Sequence, residues 1–219
     1  MRGDQGPPSG RAAWIDVSRP LTPSTPVWPG DRPFQLTRTE AGGITTSAFS
    51  ASCHAGSHVE APRHVDASAG GLDSIPLERL IGPAEVVAVA AAVIAPEHLP
   101  AGWSPATPRL LLRTDSHPID APIRPGFAAL EPRLVHWLAD RGVELVGIDT
   151  PSVDPHDSHD LPAHHALRER GMTWIEGLWL GGAVPGRYRL VALPMPIAGA
   201  EAAPLRAVVR PLAPGEPVA

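Results

Sequence analysis

The sequence has no lysine, no asparagine and a single cysteine, Cys53, among its 219 residues. Without lysine there is no Schiff-base amine and no lysine-bearing phosphate loop. Without asparagine there is no N-glycosylation acceptor and no Cys/His/Asn catalytic set. A lone cysteine excludes an internal disulfide. Long apolar runs are missing too: the longest, Val86 to Ile94, falls far short of the ~20 residues that cross a bilayer. Met1 to Arg11 is polar and rich in proline and glycine, without the apolar segment of a secretory leader. The expected address is the cytoplasm, with no membrane partner. All 18 cationic residues are arginine, set against 23 acidic ones, and the net charge of -5 comes with no basic stripe. Nucleic acid is therefore not an expected partner.

What is present is enough for one sizeable core. The 28 prolines and 21 glycines punctuate apolar segments instead of forming a low-complexity tract. We read a flexible extension over 1–11, one folded domain over 12–212 and a tail over 213–219. Strands are predicted at Ala13–Val17, Ile44–Cys53, Glu85–Ile94, Arg109–Arg113, Glu144–Ile148, Met172–Leu180 and Tyr188–Leu193. Leu130, Leu134, Trp137 and Leu138 have the spacing of an amphipathic helix over Leu130–Arg141, with Gly142 placed to stop it. A short helix at Leu77–Ile81 and another at Ala163–Arg170 complete the set, and Thr22–Pro33 and Asp149–Pro162 are loops. The fold class expected is α/β (mixed α+β) in a single domain, with a mixed sheet and a few flanking helices.

Seven of the ten histidines fall in two windows, His54/His58/His64 and His156/His159/His164/His165. Such clustering points to a metal. The first window reads His54-Ala-Gly-Ser-His58-Val-Glu60-Ala-Pro-Arg-His64, and all its spacings are even. Side chains alternate along an extended segment, so His54, His58, Glu60 and His64 would face one way if the strand continues past Cys53. Gly56 and Pro62 disfavour a helix here, and Gly56 would let the backbone approach closely at a strand end. Neutral imidazoles with a carboxylate are the donors of a hydrolytic zinc or manganese site. Glu176 lies in an apolar stretch, where a buried carboxylate requires a partner. His164 and His165 are adjacent, so on a helix they diverge by about 100° and only one can face a shared metal.

The first window resembles the His-x-Gly-Thr/Ala-His-x-Asp-x-Pro-x-His signature of the metal-dependent cyclase family, which includes bacterial kynurenine formamidases (arylformamidases) and isatin hydrolases. The likeness extends to Thr25-Pro-Val-Trp-Pro-Gly-Asp31, Gly147-Ile-Asp-Thr-Pro-Ser-Val-Asp-Pro155, Ala163-His-His165, Ile175-Glu-Gly177 and the stretch from Leu190 to Arg210. The formamidase branch is the most similar. The resemblance implies a swivelling β/β/α domain, assembled as a homodimer or higher homo-oligomer. It implies one metal on His54, His58 and Glu60, and a second held by Glu60, His164 and Glu176, with His164 chosen over His165 by its spacing to Glu176. His64 becomes the general acid/base, and Trp28 lines the pocket against a small aromatic amide substrate. Zinc is the implied cofactor, one or two ions per chain, with manganese as the alternative.

The reaction implied is hydrolysis of an aryl formamide, with N-formyl-L-kynurenine giving L-kynurenine and formate in tryptophan catabolism. The alternatives are another small cyclic amide or lactone, as in isatin opening, and a catalytically silent metal-binding member. One position departs from the signature: Glu60 stands where Asp is usual. Its extra methylene moves the carboxylate by about 1.5 Å, set against the roughly 3.5 to 4 Å that separates the ions of a two-metal site.

Overall fold

The computed structural model describes residues 13–213 and 215–218. In chain order its strands are β1 (Ile15–Asp16), β2 (Gln35–Ala41), β3 (Ile44–Ser50), β4 (His58–Glu60), β5 (Ile81–Ala88) and β6 (Val93–Ile94). They continue as β7 (Arg109–Arg113), β8 (Ala129–Leu130), β9 (Leu145–Ile148), β10 (Thr173–Glu176), β11 (Gly186–Pro194) and β12 (Ala202–Pro211). The helices are α1 (Leu77–Leu80), α2 (Pro132–Ala139) and α3 (Pro162–Glu169). Both α2 and α3 open on proline at the position where a missing N–H costs nothing.

The main sheet runs β1-β12-β11-β5-β7-β9-β10-β4, and β4 pairs back onto β12. The strands from β12 to β4 therefore close into a barrel, with β1 laid on the edge of β12. Strands β5, β7, β9 and β10 are parallel neighbours; β4, β11 and β12 join antiparallel. The mixed single-domain fold expected from the sequence is thus present, closed in a way that no local pattern announced.

Alternation along these strands feeds two cores. Val59, Leu111, Leu145, Ile175 and Leu190 point into the barrel. Their neighbours Leu110, Leu112, Val146, Ile148 and Trp174 point outward, against Leu134, Val135 and Leu138 of α2 and Leu167 of α3. On β4 and β10 the inward positions are Val59 and Ile175, so His58, Glu60, Trp174 and Glu176 all lie on the outer face, beside α3.

Expectations for individual strands need correction. The run Val86–Ile94 is not one strand: β5 ends at Ala88, and Val93–Ile94 pairs with β8 in a separate parallel ribbon. The Ile44–Cys53 strand stops at Ser50 and does not lead into the histidine window. It forms instead an exposed hairpin with β2, a strand for which no expectation is stated above. Gly42 and Gly43, at φ 56° and 78°, make the two-residue turn that such a hairpin favours. The expected extension 1–11 lies outside the described residues. In the expected tail, Glu216 accepts hydrogen bonds from Arg189 Nε at 2.7 Å and Arg210 Nη2 at 2.9 Å. Among the described residues no helix is long and apolar enough to cross a membrane.

Candidate metal centre

Only part of the histidine window is extended. His58 and Glu60 flank Val59 on β4, and the register sets them opposite Glu176 and Trp174 of β10. His54 arrives from the turn before β4, where Gly56 has φ +70°. His64 closes a single 3₁₀ turn, Pro62–His64, that begins as soon as β4 ends. The even spacing therefore does not act through one continuous strand. Gly56 and Pro62 bend the chain at both ends of a three-residue strand, and the side chains converge by turning. Across the sheet, a Cβ on Gly177 would lie 2.3 Å from the Gly56 carbonyl oxygen, so only glycine permits this approach. His164, in the first turn of α3, is buried, whereas His165 and His159 are exposed.

The structure brings His54, His58, Glu60, His64, His164 and Glu176 to one wall of a cavity of about 320 Å³. Glu60 is the hub. Its Oε1 lies 2.7 Å from His54 Nδ1 and 3.3 Å from His58 Nε2, and its Oε2 lies 3.2 Å from His164 Nε2 and 3.8 Å from His64 Nε2. Glu176 spans the same gap, with Oε2 3.4 Å from His58 Nε2 and Oε1 3.3 Å from His164 Nε2. Two sets of donor atoms fall within ion-binding range of one another: His54/His58/Glu60 and Glu60/His64/His164. His164 Nε2 is buried yet makes no well-formed hydrogen bond, despite two carboxylate oxygens nearby. A buried nitrogen left unsatisfied beside carboxylates fits a cation between them. Imidazole and carboxylate without thiolate is a donor set for divalent first-row ions.

The charges are tightly matched. Burial pulls the His58 imidazole down, but Glu176 and Glu60 outweigh it and raise its pKa to about 10. His164 is likewise lowered by burial and carried well above its ordinary value by Asp154, Glu176 and Glu60. Glu60 is raised by burial but held well below the usual carboxylate range by His164, His54 and His58. Both buried imidazoles are thus biased toward the protonated form in the metal-free chain. Ligation requires neutral imidazole, so metal uptake at pH 7 is expected to release about one to two protons, and affinity to rise with pH. Calorimetry in buffers of different ionisation enthalpy measures the release, and uptake without any would contradict this charge assignment. His64 behaves oppositely: burial lowers its pKa, which leaves it neutral near pH 7.

Residues 15–155 match the family described as "Putative cyclase". The chain belongs to this cyclase family. It is 44% identical to the kynurenine formamidase of Salinibacter ruber over 206 residues, which is 90% of this chain and 97% of that one. A solved "predicted metal-dependent hydrolase" from Bacillus stearothermophilus superposes with a TM-score of 0.79 at 26% identity, covering 91% of this chain and 98% of that one. Isatin hydrolase A from Labrenzia aggregata has the same fold, with a TM-score of 0.78 at 23% identity over 91% of this chain and 94% of that one.

The cyclase-family site also contains residues that the histidine windows did not reveal. Asp154 is fully buried and accepts from the backbone N–H of Ala163 at 2.9 Å and of His164 at 3.1 Å. Its Oδ2 also takes the His164 Nδ1–H at 2.7 Å. One carboxylate thereby caps α3, whose own N-cap Leu161 has no capping side chain, and turns His164 Nε2 toward Glu60 and Glu176. In D154N the amide can donate to Nδ1 and favour the wrong tautomer. Metal affinity is expected to fall roughly 10- to 100-fold with the fold retained, as read by competition with a chelator; unchanged affinity would reject the orienting role.

Trp28 lines the cavity, stacked on His156 at 5.0 Å, with Phe127 at its edge 6.5 Å away. Arg19 also borders the cavity, but its guanidinium is spent on the carbonyls of Gly177, Pro118, Ile119, His117 and Asp149. It straps the 117–119 loop to the end of β10. Burial and the Arg19 guanidinium push the His117 imidazole down to about 4, so His117 adds no charge to this wall at physiological pH. These partners are far apart in sequence, and no spacing rule links them.

Proposed function

We propose that this cyclase-family chain is a metal-dependent amidohydrolase that cleaves an aryl formamide, with N-formyl-L-kynurenine giving L-kynurenine and formate. The observation that carries the reading is Glu60 set between two imidazole groups at the wall of an aromatic-lined cavity. The 44% identity to a kynurenine formamidase over nine-tenths of the chain supports the substrate class. His54, His58 and Glu60 would hold one cation; His164, with Glu60 and Glu176, would hold a second. Zinc is the proposed ion, with manganese as the alternative. When bound, such an ion supplies Lewis acidity to a carbonyl oxygen and lowers the pKa of water to about 7.

The chain's own residues would do the rest. Trp28, with Phe127 and His156 behind it, offers a flat face to the aryl ring and fixes where the formyl group lies. His64, neutral and on the cavity wall, takes a proton from the attacking water as the new C–O bond forms. It returns that proton to the aniline nitrogen as the C–N bond breaks, so a neutral amine and formic acid depart, the acid losing its remaining proton to solvent to become formate. Homodimeric or higher assembly and a cytoplasmic location belong to the same proposal.

The test is elemental analysis of protein purified without chelator, with formate release from N-formylkynurenine followed on the same sample. Metal together with turnover is the expected result. Metal without turnover would retain the site and remove the substrate; no metal, even after zinc or manganese is supplied, would overturn the reading.

A further inference from the structure

One buried polar group beside the centre is unused by this chemistry. Trp174 is fully buried, sits opposite Glu60 in the β4–β10 register, and donates its indole N–H to Glu60 Oε2 at 2.6 Å. The two oxygens of Glu60 therefore differ. Oε1 meets His54 and His58, the groups that would share a cation with it. Oε2 faces His164 and His64 while already holding the indole proton. An oxygen engaged in a short hydrogen bond has less donor capacity left for a cation.

We propose that Trp174 is a positioning residue that makes the two oxygens of Glu60 unequal, so that the His54/His58/Glu60 group fills with a divalent cation before the Glu60/His164/Glu176 group. This rests on the reading that the centre binds metal. The pairing also explains the length of the side chain at position 60. An aspartate would draw the acceptor back by about 1.5 Å, leaving a buried indole N–H with no partner, which is costly. Glutamate reaches the indole across the strand pair.

The experiment is titration of the metal-free full-length chain with Co²⁺, followed by calorimetry and by the visible absorption of the bound ion, in wild type and W174F. Wild type is expected to bind in two separated steps. In W174F the second step should tighten about tenfold, the equivalent of one hydrogen bond to an ionised group, with the first changed by less than about threefold. A wild type that takes one ion and a W174F that takes two supports the proposal equally. Folded W174F with the stoichiometry and steps of wild type overturns the inference alone, as do two indistinguishable steps in wild type. A wild type that takes up no Co²⁺ overturns the metal reading and the inference with it. Should W174F fail to fold, E60D withdraws the acceptor while leaving the indole, and the two steps are expected to draw together; steps separated as in wild type would overturn the proposal.

Discussion

Replacing Glu60 with alanine is expected to disable both ligand groups in one step, lowering metal affinity by more than ~10²-fold and hydrolysis by at least ~10³-fold. The magnitude follows from the position of this carboxylate. It lies within 3.8 Å of four imidazole nitrogens, and both candidate ion positions depend on it. The loss goes beyond coordination. Glu60 is one of the two carboxylates that hold the buried His58 proton, so the variant's His58 should titrate well below about 10. It also leaves the Trp174 N–H in the core with no acceptor, so the metal-free variant should melt below wild type. Elemental analysis, formate release and thermal melting, run on one preparation, check the three effects. Metal content and turnover near wild type would show that the centre does not depend on this residue.

How much of this was legible in the sequence depends on the range of the signal. Strands such as Arg109–Arg113 and the apolar stripe of α2 are local patterns, and the structure carries them within a residue or two. The histidine window is local as well, and its residues do meet, but the reason differs from the one read there. Even spacing suggests a single extended segment. The structure supplies three strand residues between a left-handed glycine and a 3₁₀ turn, because Gly56 and Pro62 act more strongly than alternation. The hairpin of β2 and β3 could have been found from Gly42-Gly43 between threonine-rich runs. The rest lies beyond any window. Asp154 reaches His164 across ten residues, Trp174 reaches Glu60 across 114, and Arg19 reaches Gly177 across 158. The Trp174–Glu60 contact exists because β4 closes the barrel between β10 and β12, a pairing that sequence periodicity does not encode.

For His64→Ala we expect turnover to fall by roughly 10² to 10⁴-fold, with the Michaelis constant and metal content little changed. His64 is the less buried of the two imidazoles facing Glu60 Oε2 and the one that burial shifts toward the neutral form, whereas His164 on the same oxygen is shifted the other way by Asp154, Glu176 and Glu60. A group that must accept a proton works only while neutral. Wild-type turnover should therefore be level across neutral pH and decline as acid protonates His64, at a pH below its ordinary value near 6.5. The variant should lose that acidic limb along with its rate. The leaving group gives a second reading: an anilide nitrogen departs poorly unless protonated, whereas a nitro-substituted anilide needs less help. The deficit of the variant should accordingly shrink as the leaving amine becomes less basic. A deficit that stays constant across the series would place His64 in ligation or support instead of proton transfer. Loss of metal in the variant would do the same, since His64 also lies within ligand range of Glu60 and His164.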